Sequence, residues 1–295
     1  MKLIGTSRQQ GFTLVELIMV IVIMGIVGGV VAVFMKTPID AYFSSARRAA
    51  LSDVADTTVR RIARDVRKAL PNSLRNPASQ CIEFIPTKTG GRYRTQDLIA
   101  GDGTSLDFTK ADSSFNMLGD NGALPIGQQI AQNDIVAIYN LGIPGADAYS
   151  NSNTALVTAA PTVQGTPSET TLNISATQFP FASPSNRFQV IPGSEQVVGY
   201  ACSGVGISAS GQGTGTLSRY IAVIPGVASA SCPAPPAVGV SVQQVSTIAN
   251  NVSSCNFSYS GSDLQRNGLL TMTLQISVAS ETVSLQHEVH VSNTP

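Results

Sequence analysis

An uncharged apolar run near the N-terminus constrains this chain more than any other feature. It extends from residue 17 to residue 35 and is 19 residues long. As an α-helix it measures about 28 Å, close to the roughly 30 Å hydrocarbon core of a bilayer. A helix satisfies its backbone hydrogen bonds internally, and the run lacks the polar stripe that a core helix presents to water. The sequence therefore predicts a single membrane-spanning helix in preference to a buried core helix.

Glu16 lies directly before this run. An ionised carboxylate in the apolar region of a membrane is costly without a partner, and it usually has a function. No lysine or arginine in the segment can pair with it. Cleavage between Gly11 and Phe12 would create an α-amine, in the same chain or in a neighbouring copy. Glu16 is therefore a candidate assembly residue, because side-by-side packing would pair each carboxylate with a neighbour's amine.

The segment Gly11-Phe12-Thr13-Leu14-Val15-Glu16 resembles the processing site of type IV prepilins and pseudopilins. In that family a membrane peptidase cleaves after the glycine and methylates the new N-terminal residue. The resemblance implies that residues 1–11 are a leader, that cleavage follows Gly11, and that Phe12 is N-methylated. A secretory signal peptide is the alternative, but its cleavage site would follow the apolar run.

The resemblance also implies location and partners. It places the protein in the inner membrane as a single-pass protein with a periplasmic body, for incorporation in a surface pilus. The implied partners are the prepilin peptidase, the major and other minor pilins, the inner-membrane assembly platform and membrane lipid.

Charge is distributed unevenly along the chain. Residues 36–75 carry nine lysines and arginines against four aspartates, whereas residues 76–295 carry seven basic and thirteen acidic residues. The body therefore has no basic character suited to nucleic acid. The arginines before residue 75 are interpreted as the solvated face of a helix or, alternatively, as a docking strip for neighbouring subunits.

The apolar helix is expected to continue into water. Residues 12–37 form its predicted transmembrane half and residues 38–70 its amphipathic half, with Pro38 as a kink or as the bilayer exit. Apolar or small residues recur in the second half at intervals of three to five residues: Ile39, Phe43, Ala46, Ala50, Val54, Val59, Ile62, Val66 and Leu70. Pro71 and Asn72 end the predicted helix.

Residues 71–295 read as a body rich in β-strands. The predicted strands are 81–85, 105–108, 135–141, 171–174, 188–191, 197–202, 220–224, 270–278 and 283–291. The last two show the clearest period-two alternation. Val245, Ile248 and Val252 predict a short helix before a strand that holds Cys255. The predicted class is α+β, a long N-terminal helix packed on a mostly antiparallel β body, which resembles the pilin fold.

The large body resembles minor pseudopilins of the J or PilW kind. Short segments are also similar to minor pseudopilins of mannose-sensitive haemagglutinin (MSHA) pilus biogenesis: 47–51, 60–65, 69–73, 90–94 and 287–291. The resemblance implies a structural subunit that joins or initiates a pilus. A pilus-tip adhesin, a pseudopilin of a type II secretion system and a membrane-anchored enzyme are the alternatives.

The four cysteines are Cys81, Cys202, Cys232 and Cys255. None forms a Cys-x-x-Cys pair, which argues against zinc, and an even number in an exported domain predicts two disulfides. Three pairings are open. The favoured one joins Cys202 to Cys232 and Cys81 to Cys255, because the first two flank one predicted strand.

The sequence offers no constellation for catalysis, so no enzyme activity, cofactor or metal is predicted. His287 and His290 lie three apart on a predicted strand and therefore face opposite sides, with His287 at the edge of the core. Five aspartates in one loop-rich stretch match no calcium loop and are interpreted as acidic surface: Asp97, Asp102, Asp107, Asp112 and Asp120.

Overall fold

The computed structural model describes residues 11–165, 168–227, 239, 242–261 and 267–295. These residues form one α-helix, fourteen strands and three short 3-10 helices. The chain divides into two compact units, Met1–Ala50 and Leu51–Pro295. The predicted α+β class, a long N-terminal apolar helix and a largely antiparallel β body, is confirmed.

The helix, α1 (Leu14–Val66), runs through Pro38 without ending. Every apolar side chain from Phe12 to Phe43 is exposed. Among the described residues, α1 is the one helix long and apolar enough to cross a membrane. It ends four residues earlier than predicted, because the chain turns at Arg67 and Lys68 before Leu70 pairs with the β body. The predicted boundary between residues 37 and 38 stays a prediction.

The last turns of α1 bury one face. Its buried residues are Leu51, Ala55, Thr58, Val59, Ile62, Ala63 and Val66, and each has another buried residue three or four positions away, as one helix face requires. Burial of Val59, Ile62 and Val66 confirms their assignment to the apolar face. Val54 is 43% exposed and was wrongly assigned to it. The buried stripe passes through Leu51 and Ala55 on either side of it instead.

The strands are short in the first part of the body and long at its end. In chain order they are β1 (Arg75–Ala78), β2 (Cys81–Phe84), β3 (Thr89–Arg92), β4 (Asp112–Leu118), β5 (Ile135–Ala137), β6 (Thr154–Leu156), β7 (Thr162–Gln164), β8 (Glu169–Thr177), β9 (Arg187–Ile191), β10 (Val197–Ser203), β11 (Gly215–Ala222), β12 (Val242–Ser260), β13 (Asn267–Val278) and β14 (Glu281–Ser292).

The described strands form three sheets, and every strand pair within them is antiparallel. The sheets have the orders β1-β2-β10-β11-β12-β13-β14, β3-β9-β5-β6 and β4-β8-β7. The buried residues of α1 pack on the seven-stranded sheet. Both faces of β10 are covered, since Tyr200 and Cys202 join this cluster and Val197 and Ala201 join another. A third cluster fills the space between the two smaller sheets.

The final hairpin confirms the clearest strand prediction. β13 and β14 pair without a register shift, and Ala279 and Ser280 form the turn between them. Two other predictions are wrong. Residues 105–108 form no strand, and the helix expected at Val245, Ile248 and Val252 is part of the 19-residue strand β12.

The favoured disulfide pairing is also wrong. Cys202 is bonded to Cys255, with a Cα–Cα distance of 6.4 Å. The prediction relied on closeness in sequence, but β12 continues beyond the end of β11 and passes the turn between β1 and β2. There the N–H of Phe257 donates to the carbonyl of Ser79, and the N–H of Cys202 donates to that of Gln80. Cys81 is disulfide-bonded as well, and Cys232 lies outside the described residues.

Candidate functional site

The N-terminal end of α1 is built by a reciprocal pair of hydrogen bonds. Thr13 precedes the first helical residue and acts as the N-cap. Its hydroxyl accepts from the N–H of Glu16 at 3.3 Å, and the Oε2 atom of Glu16 accepts from the N–H of Thr13 at 3.0 Å. The threonine hydroxyl also donates to Oε2 at 3.0 Å. This arrangement is a capping box, which satisfies two N–H groups that a helix start leaves unpaired.

The capping box answers the question that the sequence raised about Glu16. The carboxylate has partners within its own chain, all of them on Oε2. Oε1 makes no hydrogen bond to any described residue. One oxygen therefore secures the helix start while the other can accept a bond from outside the chain. The predicted pairing with an amine is compatible with this geometry but is not required to satisfy the carboxylate.

Gly11 and Phe12 precede the helix without regular structure and are exposed. The Phe12 side chain is 88% exposed. A Cβ atom added at Gly11 would meet nothing within 4 Å in the described residues. No contact with the described residues therefore demands glycine at residue 11, and a molecule that approaches the backbone there could be the source of such a demand.

Comparison with protein families places a known motif on this segment. Residues 6–32 match the family model of the prokaryotic N-terminal methylation motif. The chain has a type IV prepilin-like N-terminus. The prepilin-like motif covers the predicted cleavage residues, Glu16 and most of the apolar run. Together with the exposed apolar part of α1, it fits a single-pass membrane anchor. Comparison with curated proteins and with solved structures gave no match.

A cleft of about 920 Å³ lies in the body, between the end of α1 and the 3-10 helix Ile126–Gln128. Five of its charged side chains pair with one another. Arg219 binds Asp65 and Glu195, each at 3.2 Å, and Lys88 binds Asp134 at 2.5 Å. Because these five charged side chains are paired with one another, none of the five is free to bind a ligand.

The five aspartates singled out in the sequence stabilise local turns. Each accepts an N–H from backbone close by, for example Asp97 from Gly101 at 2.9 Å and Asp102 from Ile99 at 2.8 Å. Hydrogen bonds from Ser105 lower the pKa of Asp97, which therefore stays ionised. No group of three metal-ligating side chains occurs among the described residues.

The two histidines lie where the strand pattern predicts. His287 is half-buried on the face of β14 that points to α1, and His290 is exposed. They do not share a site.

Sequence reasoning missed Thr13. The signal was present, since a threonine followed three residues later by a glutamate, just before an apolar run, is the pattern of a capping box.

Proposed function

We propose that this protein is a minor pilin or pseudopilin, a structural subunit that joins or initiates a type IV pilus after prepilin peptidase cleavage. It is of the MSHA type and similar to MshO, with no catalytic activity of its own. Its partners are the prepilin peptidase, the major and other minor pilins, the inner-membrane assembly platform and membrane lipid. Its body lies in the periplasm until the pilus is assembled.

The observation that carries this proposal is the N-terminal motif on a helix of the right form. The methylation motif ends within a helix whose side chains are all exposed up to Ala50, apart from the half-buried Ser44. A helix that is apolar all round needs lipid or other apolar helices around it. The body begins at Leu51 and packs around its own core. An anchor exposed on all sides and a separately packed body suit a subunit that leaves the membrane by packing its anchor among others.

Mass spectrometry of the purified membrane protein tests the processing step. We expect the mature chain to begin at Phe12 with a methylated α-amine. Gly11→Ala is expected to block cleavage, because a side chain obstructs the approach of the peptidase, whereas Gly25→Ala is the matched control and should be cleaved normally. A mature chain that begins after residue 35 would identify a secretory signal peptide.

Deletion of the gene and counting of surface pili test the assembly role. We expect far fewer pili, with full recovery when the wild-type chain is supplied and none when the uncleaved Gly11→Ala chain is supplied. Normal pilus numbers that lack only adhesion would identify a tip adhesin instead.

A further inference from the structure

The seven-stranded sheet ends in a long strand with an unpaired edge. β14 pairs with β13 over its entire length, from Val278↔Glu281 to Asn267↔Ser292, without a bulge. No other described strand pairs with its outer edge. Proteins usually protect such an edge with proline, lysine, a bulge or a short strand. β14 contains neither proline nor lysine and is 12 residues long, so its edge is open to a further strand.

The turn fixes which backbone groups face outward. Ala279 and Ser280 have φ values of 50° and 66°, as in a type I′ turn. A two-residue turn of this kind is closed by a hydrogen-bonded pair, here Val278 and Glu281, and the ladder then alternates along the strand. The N–H and C=O groups of residues 282, 284, 286, 288 and 290 therefore point away from β13. They form a ready-made row of donors and acceptors.

A basic groove lies beside this edge. It has a volume of about 480 Å³, and its lining residues are Thr57, Arg60, Ala63, Arg64, Arg67 and His287. Arg60 pairs with Asp56 at 2.7 Å. Arg64 and Arg67 are exposed, and neither has an ion pair among the described residues. Two unpaired cations therefore flank the middle of the open edge.

The inner face of β14 is incompletely covered near the turn. Val283 and Leu285 are half-buried, whereas Val289 and Val291 are at most 2% exposed. Along one face, starting from the turn, the edge thus presents two partly covered apolar side chains and then His287 with the two arginines. A strand laid against this edge would match it with two apolar residues followed by acidic ones.

We propose that β14 accepts an extended, acidic segment of a neighbouring subunit as an eighth strand. Main-chain hydrogen bonds to the outward-facing groups provide the affinity, as in other cases of strand addition, and the acidic residues beside Arg64 and Arg67 provide the selectivity. A second copy of this chain fits less well, because pairing of two β14 strands would bring four of these arginines to one seam. That the occupant belongs to another subunit rests on the proposed function.

Two synthetic peptides test this inference on the full chain in detergent micelles. In the first peptide every second residue is threonine, and the positions between are valine, valine, glutamate and glutamate in that order. The second peptide has lysines in place of the glutamates. Each is also made in reversed order, because the added strand can run either way. We expect one order of the acidic peptide to bind at least about tenfold more tightly than both lysine peptides. Hydrogen exchange should slow in β14 when it binds.

Charge-reversal variants identify the groove. Arg64→Glu with Arg67→Glu should weaken binding of the acidic peptide about tenfold or more, since both cations are replaced by anions. Arg187→Glu, an exposed arginine in β9, is the matched control and should bind as the wild type does. Circular dichroism of each variant confirms that it is folded.

Three results would overturn the inference. The first is equal binding of acidic and lysine peptides, and the second is unchanged exchange in β14. The third is binding of phosphatidylglycerol vesicles through Arg64 and Arg67 without binding of any peptide, which would make the groove a lipid site. None of these assays requires cleavage or pilus assembly, so their failure is distinguishable from failure of the proposed function.

Discussion

The observed capping role of the Glu16 carboxylate and its proposed assembly role can be distinguished by single substitutions. As part of the capping box it accepts hydrogen bonds from Thr13. As an assembly residue it would accept one from the amine of a neighbouring subunit. Cleavage after Gly11 would leave the N–H of Thr13 intact, so the capping box would survive the proposed processing.

The two roles therefore predict different assembly phenotypes for the variants Thr13→Val and Glu16→Ala. If Glu16 pairs with a neighbour's amine, Glu16→Ala should be inserted and cleaved normally but fail to assemble, because breaking a buried ion pair costs about 3–5 kcal/mol. Glu16→Gln should fail to a lesser degree, and Thr13→Val should assemble. If Glu16 only caps the helix, Thr13→Val and Glu16→Ala should show the same small defect, since a cap contributes roughly 0.5–2 kcal/mol. Pilus counts and crosslinking to neighbouring subunits measure both outcomes.

An ion pair between the half-buried Arg94 and the buried Glu169 makes the stability of the body depend on pH. The guanidinium of Arg94 binds both carboxylate oxygens of Glu169, and the side-chain amide of Asn116 donates to Oε2 at 3.0 Å. The hydrogen bond from Arg94 lowers the pKa of Glu169. A folded-state pKa below the unfolded one stabilises the protein above the unfolded value of about 4.3, and this contribution disappears as pH falls through the folded pKa.

Glu169→Gln should therefore lower the free energy of unfolding at pH 7 by about 3–5 kcal/mol, because Arg94 loses its counter-charge. The difference from the wild type should shrink as the pH falls through the lowered folded-state pKa of Glu169, because the wild-type carboxylate then becomes protonated as well. Urea unfolding of the full chain in detergent at several pH values measures this difference in the free energy of unfolding. Lys110→Met removes an exposed pair with Asp107 and should change the stability by less than about 1 kcal/mol. A pH-independent difference for Glu169→Gln would contradict the assigned linkage.

Among the elements, the β13–β14 hairpin has a turn that its residues do not favour. Both turn residues have positive φ, which suits asparagine and glycine better than alanine and serine. Ala279→Asn with Ser280→Gly should therefore stabilise the protein by roughly 1 kcal/mol, measured as an increase in the free energy of unfolding. Ser284→Gly, within the strand, is the control and should destabilise by about 0.5–1 kcal/mol. A loss of stability in the turn variant would contradict the assigned turn type.

The same elements show how far the sequence could predict this structure. The final hairpin was predictable because one face of each strand meets the core and the other meets water, which gives a clean period of two. The strand that holds Cys255 was also predicted, but the first part of β12 was not, because the pairing of β12 has register shifts on both sides, between Leu217 and Ser218 of β11 and between Val252 and Ser254. Each bulge adds a residue and resets the alternation, so apolar residues fall at spacings that resemble a helix.

The N-terminal methylation motif was recognisable from the sequence, because prepilin-like motifs are local in sequence, whereas cleavage after Gly11 and the assembly role of Glu16 stay predictions. The partners of Cys202 and the groove beside β14 were not recognisable, because they depend on strand order, which no local pattern encodes.

For the whole molecule, the disulfides are the most direct test of the fold. We expect a digest of the unreduced protein to contain a peptide that joins Cys202 to Cys255. The Cys202–Cys255 bridge encloses a sequence separation of 53 residues, so its loss should cost about 4 kcal/mol of stability. Cys202→Ser with Cys255→Ser measures this cost by urea unfolding. A peptide that joins Cys202 to Cys232 would contradict the strand order.

That order also determines when the chain can fold. β2 and β10 are neighbours in the seven-stranded sheet, yet residues 85–196, which hold every strand of the two smaller sheets, lie between them in sequence. Contacts this distant in sequence give a high contact order and slow folding. The buried face of α1 stays uncovered during synthesis until the last five strands have been made, so folding intermediates that expose this apolar face are prone to aggregation.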